Sequence, residues 1–307
     1  MKVFTKTEIE KNLPCLAVLM TELECGYIAY SLGKCIIPPV GYLPLPHGEL
    51  HIKYGMLKAS NYATIKVAAG SYNNDKLGLP SSSGCVMVVD TQTGFPVALL
   101  QDEGLLTNYR TSAAGALMAK KFAPDAEILG IVGCGTQGYY QALHTCQATG
   151  INRVVAYDKT IDEVANLTEK LRSADIQVER ADSVEQLCRR ADIITTVTPS
   201  KKAYIDASWL KPNAHINAFG CDSIGKRELC ANIFENAELI MVDSYEQCIN
   251  HGELQYLNEN NKANVTEIGT VLLSQISPSE GLTVADFTGV AVQDIVISTM
   301  VYQNLMA

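Results

Sequence analysis

ILGIVGCGTQGYYQALHTC, residues 128–146, begins as an apolar run, turns on three glycines and continues as a helix. Gly133, Gly135 and Gly138 stand as G-x-G-x-x-G directly after the strand pattern Ile128–Val132. In that arrangement the first glycine makes a tight turn and the second lets backbone approach a pyrophosphate. The third lets the helix pack close on the strand. The helix N-terminus then faces negative charge. The next strand pattern, Arg153–Tyr157, runs into Asp158, twenty residues past Gly138. An acid at that distance hydrogen-bonds an adenosine ribose diol and repels a 2′-phosphate, which favours NAD(H) over NADP(H). Two alternatives stay open: Asp158 capping the following helix, and Lys159 beside it meeting a phosphate.

Downstream of this motif, strand and helix patterns alternate. A helix over Thr160–Ser173, a strand at Ile176–Arg180, a short helix near Val184–Cys188, then strands at Ile193–Val197, Ala214–Ala218 and Leu239–Val242 predict a parallel, doubly wound sheet. Upstream, Pro124 closes an Ala-rich helix over Thr107–Phe122. Before it come strand candidates at Ile36–Leu43, Leu50–Tyr54, Tyr62–Ala69, Gly84–Asp90 and Val97–Gln101, with Asp90–Gly94 as a hairpin turn. Strands in series without helices between them predict a largely antiparallel sheet. Residues 6–32 carry apolar positions at helical spacing, and Val290–Leu305 predicts a last helix packing back on the first domain. The expected domains are 1–115 with 288–307, and 116–287.

Composition excludes several classes. The net charge of −9 leaves nothing to neutralise many phosphates, so no nucleic-acid partner is expected. No apolar run reaches the ~18–20 residues that span a bilayer, and the N-terminus shows no signal-peptide core, so a cytoplasmic protein is expected. The ten cysteines include no C-x-x-C pair, and neither a metal site nor a disulfide framework is expected.

Three charged residues occupy unusual places. Lys66 interrupts the apolar strand YATIKVAAG, Arg110 opens the helix TNYRTSAAGA, and Asp222 follows the strand end INAFGC. Open α/β sheets bind ligands at the carboxyl ends of their strands. Each residue also has a plain reading: a snorkelling lysine, a surface arginine pair and a turn-capping acid.

Together, LLTNYRTSAAGALMAKKFAP, GIVGCGTQG, ADIITTVTPS and KPNAHINAFGCDSIGKREL resemble the ornithine cyclodeaminase/mu-crystallin family, in the same order from about Ile36 to the last helix. The resemblance implies an α/β fold: a Rossmann dinucleotide-binding domain plus a smaller α+β dimerisation and substrate domain with a largely antiparallel sheet. It implies NAD as cofactor, a small amino or imino acid as substrate, and a homodimer. By the same resemblance Asp222 is the general acid/base and Lys66 binds the substrate's carboxylate or nitrogen. Ser81, Arg110, Thr111, Thr136, Gln137, Asp158 and Thr198 would line the cofactor, as would Ile216, Asn217, Ala218, Phe219 and Lys226.

One place departs from the family pattern. Where its members carry an arginine that clamps the substrate carboxylate, within PPVGYL, this chain has Gly41. Lys53, which shares a strand face with His51, would supply the missing charge, and a merely solvated lysine is the alternative there. Cyclodeamination and imine reduction are both compatible with this residue set. So is a non-catalytic NAD(H)-binding protein, which the loss at Gly41 favours and retention of Lys66 and Asp222 opposes.

Overall fold

Residues 1–71, 73–80, 82–257, 264–276 and 280–307 are described in the computed structural model. They divide into two units, Met1–Arg110 with Val290–Ala307, and Thr111–Gly289. The division falls inside one helix.

The first unit contains β1 (Lys2–Phe4), α1 (Lys6–Lys11), α2 (Leu16–Ser31), β2 (Cys35–Ile36) and β3 (Gly41–Leu45). β4 (Gly48–Leu57), β5 (Tyr62–Ser71), β6 (Ser82–Asp90), β7 (Pro96–Leu100), the start of α3 (Leu105–Phe122) and the C-terminal helix Ala291–Met306 complete it. The expected single helix over 6–32 is therefore two. Asn12 caps α1, and Pro14, which has no N–H to donate, separates it from α2. The expected strand at Ile36–Leu43 is likewise two short strands, β2 and β3, each paired antiparallel with β4.

The sheet order is β1-β7-β6-β5-β4-β2. Its pairs are antiparallel except β1 with β7, a parallel edge pair too short to leave a periodic signature in the sequence. Directly opposed residues share a face. Lys66 therefore stands with Lys53 and Val86 on the face that receives the C-terminal helix. Gly41, Ile52, Tyr54, Ile65 and Met87 occupy the other face.

The second unit continues with β8 (Ile128–Val132), α4 (Thr136–Thr149), β9 (Arg153–Tyr157), α5 (Ile161–Arg172), β10 (Gln177–Arg180) and α6 (Val184–Arg190). Then come β11 (Ile193–Thr196), β12 (His215–Ala218), α7 (Ala231–Asn236), β13 (Ala237–Val242), α8 (Tyr245–His251), β14 (Val265–Glu267), a short helix Ile268–Leu273, and β15 (Leu282–Asp286). All pairs are parallel, in the order β10-β9-β8-β11-β12-β15-β13-β14. Strand order reverses between β8 and β11, which opens a crevice at their carboxyl ends.

Leu129, Ile131, Val154 and Ala156 bury one face of this sheet with Leu167 and Leu171 of α5. Val132, Ile194, Ile216 and Val242 bury the other with Leu187, Ile233 and Cys248. β14 and β15 are absent from the sequence expectation. β15 is buried at all five positions, so it has no polar alternation to reveal it, yet it sits between β12 and β13. No described helix is long and apolar enough to cross a membrane.

Candidate active site and cofactor cradle

The turn from β8 into α4 is built by its glycines. Gly133 takes φ +99°, and a side chain there would press on the Val197 carbonyl and on Thr198, at the end of β11. A Cβ on Gly138 would come within 2.0 Å of the Gly133 carbonyl oxygen, so only glycine lets α4 pack this close. Gly135 is the N-cap and faces open space, and no side chain caps the helix. Exposed Thr136 and half-buried Gln137 form its first turn, where a helix N-terminus favours negative charge. A diphosphate fits this cradle: there is room at Gly135, a bare helix N-terminus and no carboxylate capping it.

Asp158 ends β9 beside that turn. One carboxylate oxygen accepts from the Cys134 N–H at 2.8 Å and the other from the Thr160 N–H at 2.9 Å. It thus ties the glycine turn to its neighbour strand and also supports the start of α5. The remaining lone pairs of both oxygens suit a ribose diol.

After β12 the chain loops through Asp222 and Lys226, whose Nζ lies 2.6 Å from Asp222 Oδ1. Asp222 is half exposed. The preceding residues lie deeper. Ile216 and Ala218 lie wholly in the core, and Asn217 is buried with its amide donating to the Gly115 carbonyl of α3. β12 is paired on both sides, by β11 and β15, and all three side chains are buried. Phe219 is half-buried and stacks on Phe287 at 4.3 Å. Thr198 bonds Glu228 through both its N–H and its hydroxyl. Thr111 is half-buried, and its carbonyl accepts from Gln141. Ser81 lies outside the described residues.

In the first unit, Lys66 and Arg110 meet on one carboxylate that the sequence reading missed. Asp294 Oδ1 accepts from Lys66 Nζ at 2.8 Å and from Arg110 Nε at 3.1 Å, all three side chains nearly sealed from solvent. Arg110 also donates to Gln293, which in turn donates to the Tyr27 hydroxyl. The available signal was the polar pair Gln293-Asp294 inside the otherwise apolar helix AVQDIVIS. Burial pulls the Lys66 ammonium down to about 7 despite Asp294 beside it. Burial pushes Asp294 upward, but Arg110 and Lys66 more than offset that and hold it below the usual carboxylate range.

Lys53 stands directly opposite Lys66 across β4 and β5, and its charge acts on both Lys66 and Asp294. Gly41 points to the other face with Ile52, while Tyr42 packs edge-on against His51. Asp102, capping α3 through the Leu106 N–H, is pushed up to about 6 by burial. Three cations therefore gather around one fully buried acid, with a second acid nearby whose charge burial suppresses. That balance suits an anionic ligand group.

Residues 1–307 match the Ornithine cyclodeaminase/mu-crystallin family. An alanine dehydrogenase of Archaeoglobus fulgidus is 31% identical, over 99% of this chain and 95% of its own length. Among solved structures, an archaeal alanine dehydrogenase dimer with bound NAD superposes with a TM-score of 0.89 at 30% identity, covering 100% of this chain and 96% of that one. The iminosuccinate reductase of Paracoccus denitrificans in complex with NAD+ gives 0.90 at 25% identity, with 100% and 96% covered.

Proposed function

Since the chain belongs to the ornithine cyclodeaminase/mu-crystallin family, we propose that it is an NAD(H)-dependent enzyme transferring hydride at the Cα–N bond of a small amino or imino acid. The observation that carries this is the uncapped helix N-terminus behind Gly133–Gly138 with Asp158 at its side. Gly133, Gly135 and the first turn of α4 would hold the diphosphate and Asp158 the adenosine ribose. When bound, the nicotinamide supplies or receives the hydride. Asp222 gives a proton to the imine nitrogen in reduction, or takes one from the ammonium in oxidation. Lys66 and Arg110, held by Asp294, draw the substrate carboxylate, and Lys53 on the same sheet face as Lys66 adds a further positive charge.

This charge balance favours reduction or dehydrogenation over cyclodeamination. A diamino acid brings a second ammonium, which Lys53 and Lys66 on the sheet face and Arg110 of α3 disfavour, while Asp294 is already shared by Lys66 and Arg110. The apolar face opposite Lys66, with Leu43, Tyr54 and Ile65 each more than a third exposed, supports a homodimer formed through the first unit. Ten free cysteines suit the reducing cytoplasm, where we place the enzyme.

The test follows NADH absorbance with 2-oxo acids plus ammonium or methylamine and with cyclic imino acids. Net NADH consumption is expected, and Asp222→Asn should lower turnover by about 100-fold or more while NADH still binds. Ammonia release from a diamino acid without net redox would instead mark a cyclodeaminase. NADH binding with no turnover across the panel would leave a binding protein.

A further inference from the structure

The loop that carries Asp222 begins at Gly220, after β12, and returns to the sheet at Glu228. Glu228 is fully buried, and the groups it accepts from are all neutral. Its Oε1 accepts from the Thr198 N–H at 2.8 Å, the Thr198 hydroxyl at 2.6 Å and the Tyr204 hydroxyl at 2.6 Å. Its Oε2 accepts from the Thr196 hydroxyl at 2.6 Å and the Gly220 N–H at 2.8 Å. The backbone is fixed as well: the Glu228 N–H donates to Glu253 Oε1 at 2.6 Å, and its carbonyl accepts from Tyr204 and Ile205.

Gly220 completes the fit. A Cβ there would lie 2.2 Å from the Thr198 carbonyl oxygen and 2.5 Å from the Glu228 carboxyl carbon. Burial pushes the Glu228 carboxyl upward, and the hydrogen bonds from Thr196, Thr198 and Tyr204 oppose that shift in part. Each oxygen also takes one backbone N–H, a donor that cannot be reversed.

We propose that Glu228 is a positioning residue for the reaction: its carboxyl group pins the start of the Asp222 loop, at Gly220, to the end of β11, at Thr196 and Thr198. The position of Asp222 then follows from the sheet itself rather than from a free loop. Catalytic groups displaced by about 1 Å lose on the order of 100-fold in rate, so such a pin acts on turnover more than on binding. The inference rests on Asp222 being the acid/base of the proposed function.

Glu228→Gln in the full-length protein is the decisive variant. Whichever way the amide turns, its NH2 meets a backbone N–H, that of Thr198 or that of Gly220, so one of the two ties must open. The folded variant is expected to show faster amide exchange in residues 219–227. For the imine that the wild type reduces fastest, kcat should fall about ten-fold or more while KM for NADH changes by less than about three-fold. A purely structural carboxylate would lower the melting temperature and leave kcat of the folded protein unchanged.

Thr196→Val removes one donor while keeping shape and backbone. It should give the same pattern at smaller amplitude, and it stands in if Glu228→Gln fails to fold. Wild-type kcat and exchange in the folded variants would overturn this proposal alone. Absence of wild-type NADH binding and turnover would overturn the functional reading and this proposal with it.

Discussion

Replacing Asp294 with asparagine removes the negative charge that Lys66 and Arg110 share. The lost contacts are the 2.8 Å bond from Lys66 Nζ and the 3.1 Å bond from Arg110 Nε, in a site whose side chains are 3–5% exposed. Hydrogen bonds to charged partners contribute ~1.5–3 kcal/mol each, so losing both would cost about 3–6 kcal/mol if nothing else changed. Two effects reduce that. The asparagine carbonyl still accepts from one cation, and Lys66, at about 7 even beside Asp294, sheds its proton readily near neutral pH. A net loss of about 2–4 kcal/mol is expected, near the range for breaking one side of a buried ion pair.

The assay is urea unfolding near neutral pH followed by far-UV circular dichroism. The single tryptophan, Trp209, lies in the second unit and is the wrong reporter for this change. The double variant Asp294→Asn/Lys66→Met removes the stranded amine as well and should recover about 1 kcal/mol or more relative to the single variant. A single variant within about 0.5 kcal/mol of wild type would refute the reasoning, because two buried cations would then be shown to need no counter-charge.

Three further outcomes are expected. Burial pushes Glu253 up to about 8, so the native state binds its proton more tightly than the unfolded chain does, and stability falls as pH rises from the ordinary glutamate range toward 8. Glu253→Gln, which mimics the protonated acid, should gain on the order of 3 kcal/mol near pH 8 and nothing below about pH 4.3; a pH-independent difference in urea midpoint would contradict this. Asp158→Ser should weaken NADH and strengthen NADPH by about ten-fold each in fluorescence titrations, since the carboxylate that repels a 2′-phosphate is gone; unchanged preference would place the ribose elsewhere. Ile65→Glu puts a charge on the apolar sheet face and should turn a sedimenting dimer into a monomer with the fold intact, whereas an unaltered dimer would move the interface off this face.

The glycine turn was legible in the sequence because every part of it is local. Strand, turn and helix are contiguous, and Gly133 and Gly138 are demanded by backbone contacts within a few residues or by one neighbouring strand. Lys66 and Arg110 were visible as charges in apolar segments. Their partner Asp294 was not, since it arrives from 228 and 184 residues away on a helix that reads as core. Ile216, Asn217 and Ala218 show the reverse case. A family pattern placed them at the cofactor, and the packing of helices on both faces of the sheet buries their side chains. Pro14 split a helical pattern whose periodicity alone looked continuous.

By itself, then, the order of residues determined the alternation of strands and helices, the glycine turn and the acid at Asp158. Each depends on spacing along one short stretch of backbone. Tertiary structure decided which charges are neutralised and which groups are held. It set β15 between β12 and β13, brought Asp294 between Lys66 and Arg110, and closed the donors of Thr196, Thr198, Tyr204 and Gly220 around Glu228. The physical reason is that a buried charge takes whichever partner packing supplies, and packing is not bounded by distance along the chain.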